Sequence, residues 1–176
     1  MTANKSDIVW YAARVKFHTE KKLKKFLEES GIEHFIPFHD VVYERLGKRI
    51  TMKMPVIPTY IFVRTDKRTA FSLPEKVFTN INFVYRAGSK ELLVIPEKQM
   101  QDFIIAIDFS EGAIFINNGA LKRGDRVRVI KGPMSGLEGE LVRMKGHKRV
   151  VIRLEGILSM AMTFIPMCFL EKIEVD

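Results

Sequence analysis

Residues 124–142, GDRVRVIKGPMSGLEGELV, decide the fold of the C-terminal part of the chain. Valines alternate with charged residues up to a Gly132-Pro133 break, and a similar alternation resumes at Leu141. A period of two residues on either side of a tight turn is typical of paired strands and excludes a helix. Glycine takes a positive φ without steric cost, so the glycines of this run are expected where a small barrel bends. They are Gly132, Gly136 and Gly139.

The rest of the C-terminal half continues this pattern. Strands are predicted over RVRVIK, GELVRMK, KRVVIRL and ILSMAMTFI, and CFLEKI is a short fifth element. Five β-branched residues in these segments favour strands strongly: Val127, Val129, Val150, Val151 and Ile152. We therefore expect residues 121–176 to form an all-β, SH3-like barrel.

Strands and helices interleave in residues 1–108. The strand IVWYAARV precedes a helix, TEKKLKKFLEESG, which has Thr19 as its N-cap and Gly31 after its end. EHFIPF, VVYERL and RITMKM read as short strands, and the last two form a hairpin through Gly47-Lys48. YIFVRT, FVYR and LLVI are further strands. This order predicts an α/β sandwich.

Two more helices and a linker complete this reading. Residues 67–73 are predicted as a short helix ended by Pro74, and Pro96 opens a helix with four apolar residues on one face. Glycines and asparagines break both periodicities in FSEGAIFINNGA, so residues 109–120 are the predicted linker. Its apolar IFI segment is expected to pack on a domain surface, and a mobile linker is the alternative.

Composition excludes several classes of protein. A chain of 176 residues suits two small domains, and no stretch approaches the ~18 apolar residues of a membrane span. The N-terminus lacks an export signal, so we expect a cytoplasmic monomer without a membrane partner. Cys168 is the only cysteine, which rules out an intramolecular disulfide. The net charge of +8 suits a polyanionic partner.

No arrangement of residues predicts catalysis. The phosphate-binding patterns G-x-x-x-x-G-K-[ST] and G-x-G-x-x-G are missing, and GPMSG is not a nucleophile elbow. The histidines lack i,i+4 spacing, and one cysteine does not complete a zinc site. Carboxylates are scattered over faces predicted to be wet. We expect no metal, no cofactor and no enzymatic activity. The histidines are His18, His34, His39 and His147.

An apolar cluster is the second informative feature. It combines Trp10-Tyr11 with the run PVIPTYIFV at residues 55–63. In this run Tyr60 and Phe62 point to one side of the strand while the alternate residues point to the other, so both faces are apolar. One face meets the core. The other is either core beneath a covering helix or an interaction site, because exposed apolar patches mark such sites.

These features together resemble the NusG superfamily of transcription elongation factors. The resemblance rests on W-Y in the first strand, a basic helix, P-x-x-P-x-Y-[IV]-F-V and a C-terminal KOW motif, and it covers residues 8–173. PVIPTYIFV and the preceding GKR are most similar to specialised, RfaH-like antiterminators. The resemblance implies an N-terminal NGN domain, followed by a KOW barrel, that binds the clamp helices of the largest RNA polymerase subunit. The matching positions are Trp10, Tyr11, Val56, Ile57, Tyr60, Phe62 and Val84.

A basic stretch, RVKFHTEKKLKK at residues 14–25, admits two interpretations. It is either a solvated helix face or a nucleic-acid surface. Lys21-Lys22 begin the helix and Glu28-Glu29 end it, which the helix dipole disfavours. In the family this side faces the exposed non-template DNA strand, so we expect cations to contact phosphates and an aromatic ring to stack on a base. The cations are Arg14, Lys16, Lys21, Lys22 and Lys25, and the rings are Phe17 and His18.

The sequence departs from the family pattern at three places. Thr59 replaces the glycine of Pro-Gly-Tyr, and we expect a reshaped turn there because threonine resists positive φ. Phe71-Ser72-Leu73 replaces the His-Thr-Thr element of RfaH-like proteins, which puts a second polymerase contact in question. Glu155 precedes a glycine where housekeeping members have an aromatic residue, which puts binding of a ribosomal protein or the Rho terminator in question. The strand-forming valines argue against a C-terminal domain that refolds into helices over the polymerase site.

The resemblance therefore implies an elongation and antitermination factor, and one that acts at specific long operons, such as those for surface polysaccharides. A ribosome-associated RNA-binding protein is the rival, since KOW barrels also occur there, but it does not need the apolar cluster of the N-terminal half. An enzyme with an SH3-like accessory domain is the weakest alternative.

Overall fold

The computed structural model describes residues 7–76, 80–109, 114–117, 124–162 and 164–174. The chain divides into two compact units, Met1–Val94 and Ile95–Asp176. The first unit contains, in chain order, β1 (Val9–Val15), α1 (Glu20–Glu29), β2 (Glu33–Phe35), β3 (Phe38–Arg45), β4 (Lys48–Pro55), β5 (Tyr60–Thr65), α2 (Lys67–Lys76), β6 (Ile81–Phe83) and β7 (Val94–Ile95), at which the division falls.

One sheet forms the frame of the first unit. Its strands lie in the order β2-β5-β1-β6, all neighbours are antiparallel, and β7 also pairs with β1. β5 is the predicted strand YIFVRT. One face of the sheet packs against both helices, through buried residues such as Leu23 and Leu27 of α1 and Ala70 and Leu73 of α2. Burial of apolar surface on this side is the main stabilising contribution to the unit.

Local sequence explains where the helices begin and end. Gly31 follows α1 with φ +66°, and the N–H groups of Gly31 and Ile32 donate to the carbonyls of Glu28 and Leu27 in a Schellman arrangement. Thr19 precedes α1 as predicted, but its hydroxyl donates to the carbonyl of Lys16 and does not cap the helix.

The second helix corrects the prediction that Pro74 ends it. α2 continues to Lys76 with Pro74 inside, because proline near a C-terminal end removes a single intrahelical hydrogen bond. Its N-terminus is fixed by Asp66, whose carboxylate accepts the N–H and the hydroxyl of Thr69 at 3.1 and 2.7 Å. These bonds lower the pKa of Asp66.

The strands β3 and β4 form a two-stranded sheet of their own. The turn residues are Leu46 and Gly47, both with positive φ, one position earlier than the predicted Gly47-Lys48. Six of the eight residues in each strand are exposed. We call this hairpin, residues 38–55, the β-arm.

The second unit begins with helix α3 (Glu97–Phe109), and an all-β domain follows it. Its strands are β8 (Ile114–Asn117), β9 (Asp125–Val129), β10 (Glu138–Met144), β11 (His147–Leu154), β12 (Leu158–Ala161) and β13 (Leu170–Lys172), which follows a 3₁₀ turn at Met167–Phe169. They lie in the order β13-β9-β10-β11-β12-β8. The predicted strands are confirmed.

The glycines of the opening run have two different roles. Gly132 and Gly136 have φ of +84° and +91°, as their turn requires. Gly139 is needed for space, because a Cβ there would lie 2.8 Å from Cγ1 of Val150 and 2.9 Å from the Val151 carbonyl oxygen. The expectation of a positive φ at Gly139 is therefore wrong.

The units differ from the predicted bounds of 1–108, 109–120 and 121–176. Helix α3 packs against β11, and Lys98 donates to the carbonyl of Gly136 at 3.0 Å. Residues 114–117, within the predicted linker, pair with β12 because their apolar, β-branched sequence suits a strand. The other residues of that linker, apart from Phe109 at the end of α3, lie outside the described ranges.

Candidate functional site

Strand register places part of the predicted apolar surface in one row. Phe35 lies opposite Phe62, Phe62 opposite Ala12, and the N–H of Val84 donates to the carbonyl of Ala12 at 2.9 Å. Residues directly opposite each other in antiparallel strands share a face. Phe35, Phe62, Ala12 and Val84 therefore form a row across four strands on the face opposite the two helices. We call it the apolar row.

Polar pairs flank the apolar row on both sides. Trp10 lies beside it with Arg64, whose guanidinium binds the carboxylate of Glu33 at 3.0 Å. On the other side Arg14 lies opposite Tyr60. Charged groups therefore border the apolar row on both sides, while Ala12 and Phe62 at its centre are fully buried.

Tyr11 lies on the opposite face, away from Trp10. It belongs to the core beneath the helices, where its ring meets that of Phe83 edge-on with centroids 6.2 Å apart. Burial, with a smaller contribution from the charge of Asp66, raises the pKa of the Tyr11 phenol. The structure therefore separates Tyr11 from the other predicted polymerase-binding residues.

The predicted polymerase-binding residues also differ in the exposed fraction of their side chains. Trp10, Ile57 and Phe62 are buried, with 4%, 5% and 0% of their surface exposed. Val56, Tyr60 and Val84 are half-buried. Within the predicted set, only these three have side chains with appreciable exposed surface.

The loop that carries Val56 and Ile57 is held at both ends. The N–H of Val56 donates to the Pro37 carbonyl at 2.8 Å, and the N–H of Val15 donates to the Thr59 carbonyl at 2.8 Å. These backbone bonds fix the loop beside β1 and keep the strand of Tyr60 in register.

Thr59 keeps the backbone conformation that glycine would adopt. Its φ is +66°, so the expectation of a reshaped turn is wrong. The buried carboxylate of Glu20, in the first turn of α1, accepts the Thr59 N–H at 3.1 Å and compensates part of the strain. Sequence reasoning missed Glu20, because nothing near it in sequence indicates a partner 39 residues away.

Arg14 and Tyr60 join the predicted polymerase-binding set to the predicted nucleic-acid-binding set. The Arg14 guanidinium donates two hydrogen bonds to the Tyr60 hydroxyl, at 2.9 Å from Nε and 2.7 Å from Nη2. Its Cζ atom also lies 5.1 Å from the centroid of the Tyr60 ring. The phenol is therefore held in place by a cation that stays exposed.

The loop between β1 and α1 presents the other predicted nucleic-acid residues. Lys16, Phe17 and His18 are exposed, and the Phe17 and His18 rings meet with centroids 4.0 Å apart. His18 adopts φ +68°, which is uncommon for a residue other than glycine. An exposed aromatic pair beside a lysine has the chemistry of a base-stacking site.

The lysines of α1 point into solvent. Lys21 and Lys22 are exposed, and Lys25 lies 3.7 Å from the carboxylate of Glu29. An exposed i,i+4 pair of this kind contributes little to stability.

The structure does not bring Phe71, Ser72 and Leu73 onto one surface. Phe71 is 46% exposed, the Ser72 hydroxyl donates to the Thr69 carbonyl within α2, and Leu73 is in the core. A second polymerase contact through all three is inconsistent with this arrangement.

In the barrel, Glu155 and Gly156 are exposed in the turn between β11 and β12. Phe164 belongs to the predicted strand ILSMAMTFI, but it is 77% exposed because the strand ends at Ala161. Sequence reasoning therefore missed an exposed aromatic residue in this domain.

Within the described ranges, no three His, Cys, Asp or Glu side chains come together as metal ligands would. None of the helices in the same ranges is long and apolar enough to cross a bilayer.

Comparison with known proteins gives two results. Residues 8–104 match the sequence model of one family, described as "NusG: Transcription termination factor nusG". The solved structure "Domain interaction in Thermotoga maritima NusG" is similar with a TM-score of 0.50 and 18% identity, and the match covers 96% of this chain and 98% of that chain. At this identity the similarity shows the fold, an NGN-like α/β domain followed by an all-β domain, as predicted. Curated protein sequences gave no significant match.

Proposed function

Because the chain belongs to the NusG family of transcription factors, we propose that it binds RNA polymerase through the sheet face of the apolar row and keeps the enzyme elongating. Membership rests on the family match over residues 8–104, more than half of the chain. The family consists of transcription factors and not of enzymes, so the expectation of a non-enzymatic protein is confirmed.

The apolar row carries this proposal. Its centre is rigid, since Phe62 and Ala12 are fully buried in adjacent strands, and Val84, at its end, is half-buried. Tyr60 and Val56 extend the accessible surface beside it. Binding energy concentrates in a few well-packed residues at the centre of an interface, and a tyrosine held by an arginine is a typical one. The partner that we propose is the coiled coil of the clamp helices in the largest subunit, whose exposed apolar side chains would bury themselves here.

The proposed factor acts mechanically on the clamp of the polymerase. A factor bound to the clamp helices holds the clamp closed over nucleic acid, which suppresses pausing and favours processive transcription without covalent chemistry. We assign the protein to the specialised, RfaH-like antiterminators, which act at particular long operons such as surface polysaccharide clusters. It would work in the cytoplasm as a monomer.

Cations of the β1–α1 loop and of α1 extend the proposal to DNA. Arg14, Lys16, Lys21, Lys22 and Lys25 would bind phosphates of the non-template strand, while Phe17 or His18 stacks on an exposed base. Because Arg14 also holds Tyr60, occupation of one surface is coupled physically to the other. For the barrel, a ribosomal protein or Rho is a weaker proposal, because Glu155 stands at the position of the aromatic contact.

Transcription in vitro on a template with a defined pause tests the proposal. Tyr60→Ala is expected to weaken polymerase binding by about 30-fold, corresponding to a loss of about 2 kcal/mol at an interface centre, and to abolish the reduction of pausing. Tyr60→Phe keeps the ring and removes the Arg14 acceptor, so its effect should be smaller.

The matched control is Tyr85→Ala, which removes a tyrosine that is 50% exposed and lies outside the apolar row. It should leave both pausing and binding unchanged. Equal activity of wild type and Tyr60→Ala would contradict the proposal. Copurification with ribosomal subunits and not with polymerase would support the rival RNA-binding function.

A further inference from the structure

The β-arm is a second surface feature whose structure indicates a binding partner. Among the residues that the structure describes, its two strands pair only with each other, in a sheet separate from the five-stranded one. Eight residues of extended chain span about 27 Å, so the tip extends far beyond the base of the arm. An isolated two-stranded hairpin in water is marginally stable at best, so its length is unexplained by folding alone.

Leu46 at the tip is the most exposed large apolar residue among those described, with 95% of its surface exposed. It has φ +52° and the following Gly47 has φ +72°, which is a type I′ turn. Asparagine or aspartate is the preferred residue at the position of Leu46. Leucine there is unfavourable both for solvation and for backbone conformation.

A second turn of the same geometry offers an internal comparison. Lys145 and Gly146, between β10 and β11, have φ of +46° and +85°. At the position equivalent to Leu46 the chain therefore carries a charged residue, as expected for a tip in water. The apolar residue at the tip of the β-arm is the exception.

The charges at the tip are arranged equally unfavourably. Arg45 and Lys48 lie directly opposite each other, and the next residue, Arg49, lies opposite Glu44. Like charges directly opposite each other destabilise a pair of strands, unless an anion lies between or beside them. Three cations and an exposed leucine thus occupy five consecutive residues.

We propose that the tip of the β-arm binds duplex DNA, with Arg45, Lys48 and Arg49 on backbone phosphates and Leu46 inserted into the groove as a wedge against the base pairs. A two-stranded ribbon fits a DNA groove, of which the major one is about 12 Å wide. Two-stranded ribbons also enter the minor groove, where apolar side chains insert between base steps and unstack them while cations neutralise phosphates. This surface is distinct from the loop and helix cations at residues 14–25.

A protein partner is the competing occupant. Val41, Tyr43, Ile50 and Met52 share the face of the arm that also carries Arg45 and Lys48, and they form an apolar stripe. The stripe lies behind the tip, however, whereas the three unfavourable features, which are the positive φ of leucine, its exposure and the opposed cations, coincide at the tip. These features favour a polyanion with an apolar interior, and duplex DNA has both.

Fluorescence anisotropy with the full chain and a labelled DNA duplex, over a series of salt concentrations, tests the inference without polymerase. Arg45→Gln with Lys48→Gln should lower the slope of log affinity against log salt by about 2, since each phosphate contact contributes about 0.9. Affinity at a fixed low salt concentration should fall about tenfold. Lys145→Gln with Lys148→Gln is the matched control at the other type I′ hairpin and should change both quantities far less.

Leu46→Asn separates the wedge from the charges. Asparagine is the preferred residue in this turn, so the arm stays folded, and the salt slope should not change. Wild type should increase the fluorescence of 2-aminopurine placed in the duplex, which reports unstacking. This increase should disappear with Leu46→Asn.

Three results would overturn the inference. The first is an equal loss of affinity in the tip variant, Arg45→Gln with Lys48→Gln, and in its control, Lys145→Gln with Lys148→Gln. The second is equal binding of a matched RNA duplex with the same sensitivity to Arg45 and Lys48. The third is unchanged affinity and an unchanged salt slope in Arg45→Gln with Lys48→Gln. Because the assay contains no polymerase, failure of the proposed function would not affect it.

Discussion

Thr59 shows how a single backbone angle shapes the proposed interface. It lies between the half-buried Val56 and Tyr60 with a φ of +66°, and Glu20 holds its N–H. For a residue with a Cβ this region is unfavourable by about 1–2 kcal/mol. The strain is confined to the turn that presents the accessible part of the surface, where a fixed loop lowers the entropy lost on binding.

Replacement of Thr59 by glycine should stabilise the protein. Relief of about 1–2 kcal/mol of strain exceeds the entropic disadvantage of glycine, about 0.5–1 kcal/mol, so the free energy of unfolding should rise by up to about 1 kcal/mol. Urea unfolding measures it. Thr51→Gly, in the extended strand β4, is the control and should destabilise. A similar decrease in both variants would contradict the strain at Thr59.

Asp66 makes stability depend on pH. Its pKa is lowered in the folded state, chiefly by the hydrogen bond from the Thr69 hydroxyl, so the folded protein binds a proton less readily than the unfolded chain. The stabilising contribution is therefore complete above the unfolded pKa of about 3.9 and is lost as pH falls through the lower folded value. The loss of stability between about pH 5 and about pH 2 should be smaller in Asp66→Asn than in wild type, as measured by urea unfolding at each pH. An identical loss in both would show that Asp66 does not contribute.

At the scale of elements, the charged residues of α1 are placed against its helix dipole. Lys21 and Lys22 stand in its first turn, where the helix dipole disfavours positive charge, while Glu28 and Glu29 end it. Helix α2 likewise has cations, Lys67 and Arg68, in its first turn, but Asp66 caps it. In α1 the buried Glu20 offsets part of the charge, yet its carboxylate serves the Thr59 turn.

Charge reversal in α1 should therefore have opposite effects on stability and binding. Lys21→Glu with Lys22→Glu should raise the free energy of unfolding, by about 0.3 kcal/mol or more per residue, and abolish crosslinking to the non-template strand. Lys67→Glu with Arg68→Glu is the control, with the same charges at the same turn of α2, and it should leave crosslinking intact. Unchanged crosslinking in the α1 variant would contradict the assignment of DNA contacts to this helix.

The elements also show what the sequence could and could not predict. Runs of β-branched and aromatic residues predicted β5 and the main barrel strands, although β5 and β12 are buried on both faces. Helix α1 followed from its apolar spacing and Gly31. Local pattern did not predict β8, since its partner β12 lies about 45 residues later and supplies the hydrogen bonds. Nor did it predict the reach of α2 past Pro74.

The site was predictable in part for the same reason. The alternation of Tyr60 and Phe62 indicated a common face, which the register confirms. Trp10 and Tyr11, as adjacent strand residues, had to point to opposite faces, so only one of them belongs beside the apolar row. Whether a side chain is half-buried or sealed depends on packing between elements distant in sequence, and no local pattern contains that information.

At the scale of the whole molecule, the chain carries a net charge of +8 and belongs to the NusG family. Each unit contributes a different kind of surface. The first offers the apolar row, the basic α1 region and the β-arm, and the second offers a barrel with an exposed Phe164. Separate apolar and basic surfaces are what the proposed bridge between a polymerase and its nucleic acid requires.

Site-specific photocrosslinking tests the central claim most directly. Benzoylphenylalanine is placed at Val84 or at Val56 and irradiated in a complex with RNA polymerase, and Glu75, exposed on α2, is the control position. Both valine positions should crosslink to the clamp helices of the largest subunit, and the control should not. Crosslinks from Val84 and Val56 that map elsewhere, or none above the level at Glu75, would contradict the account.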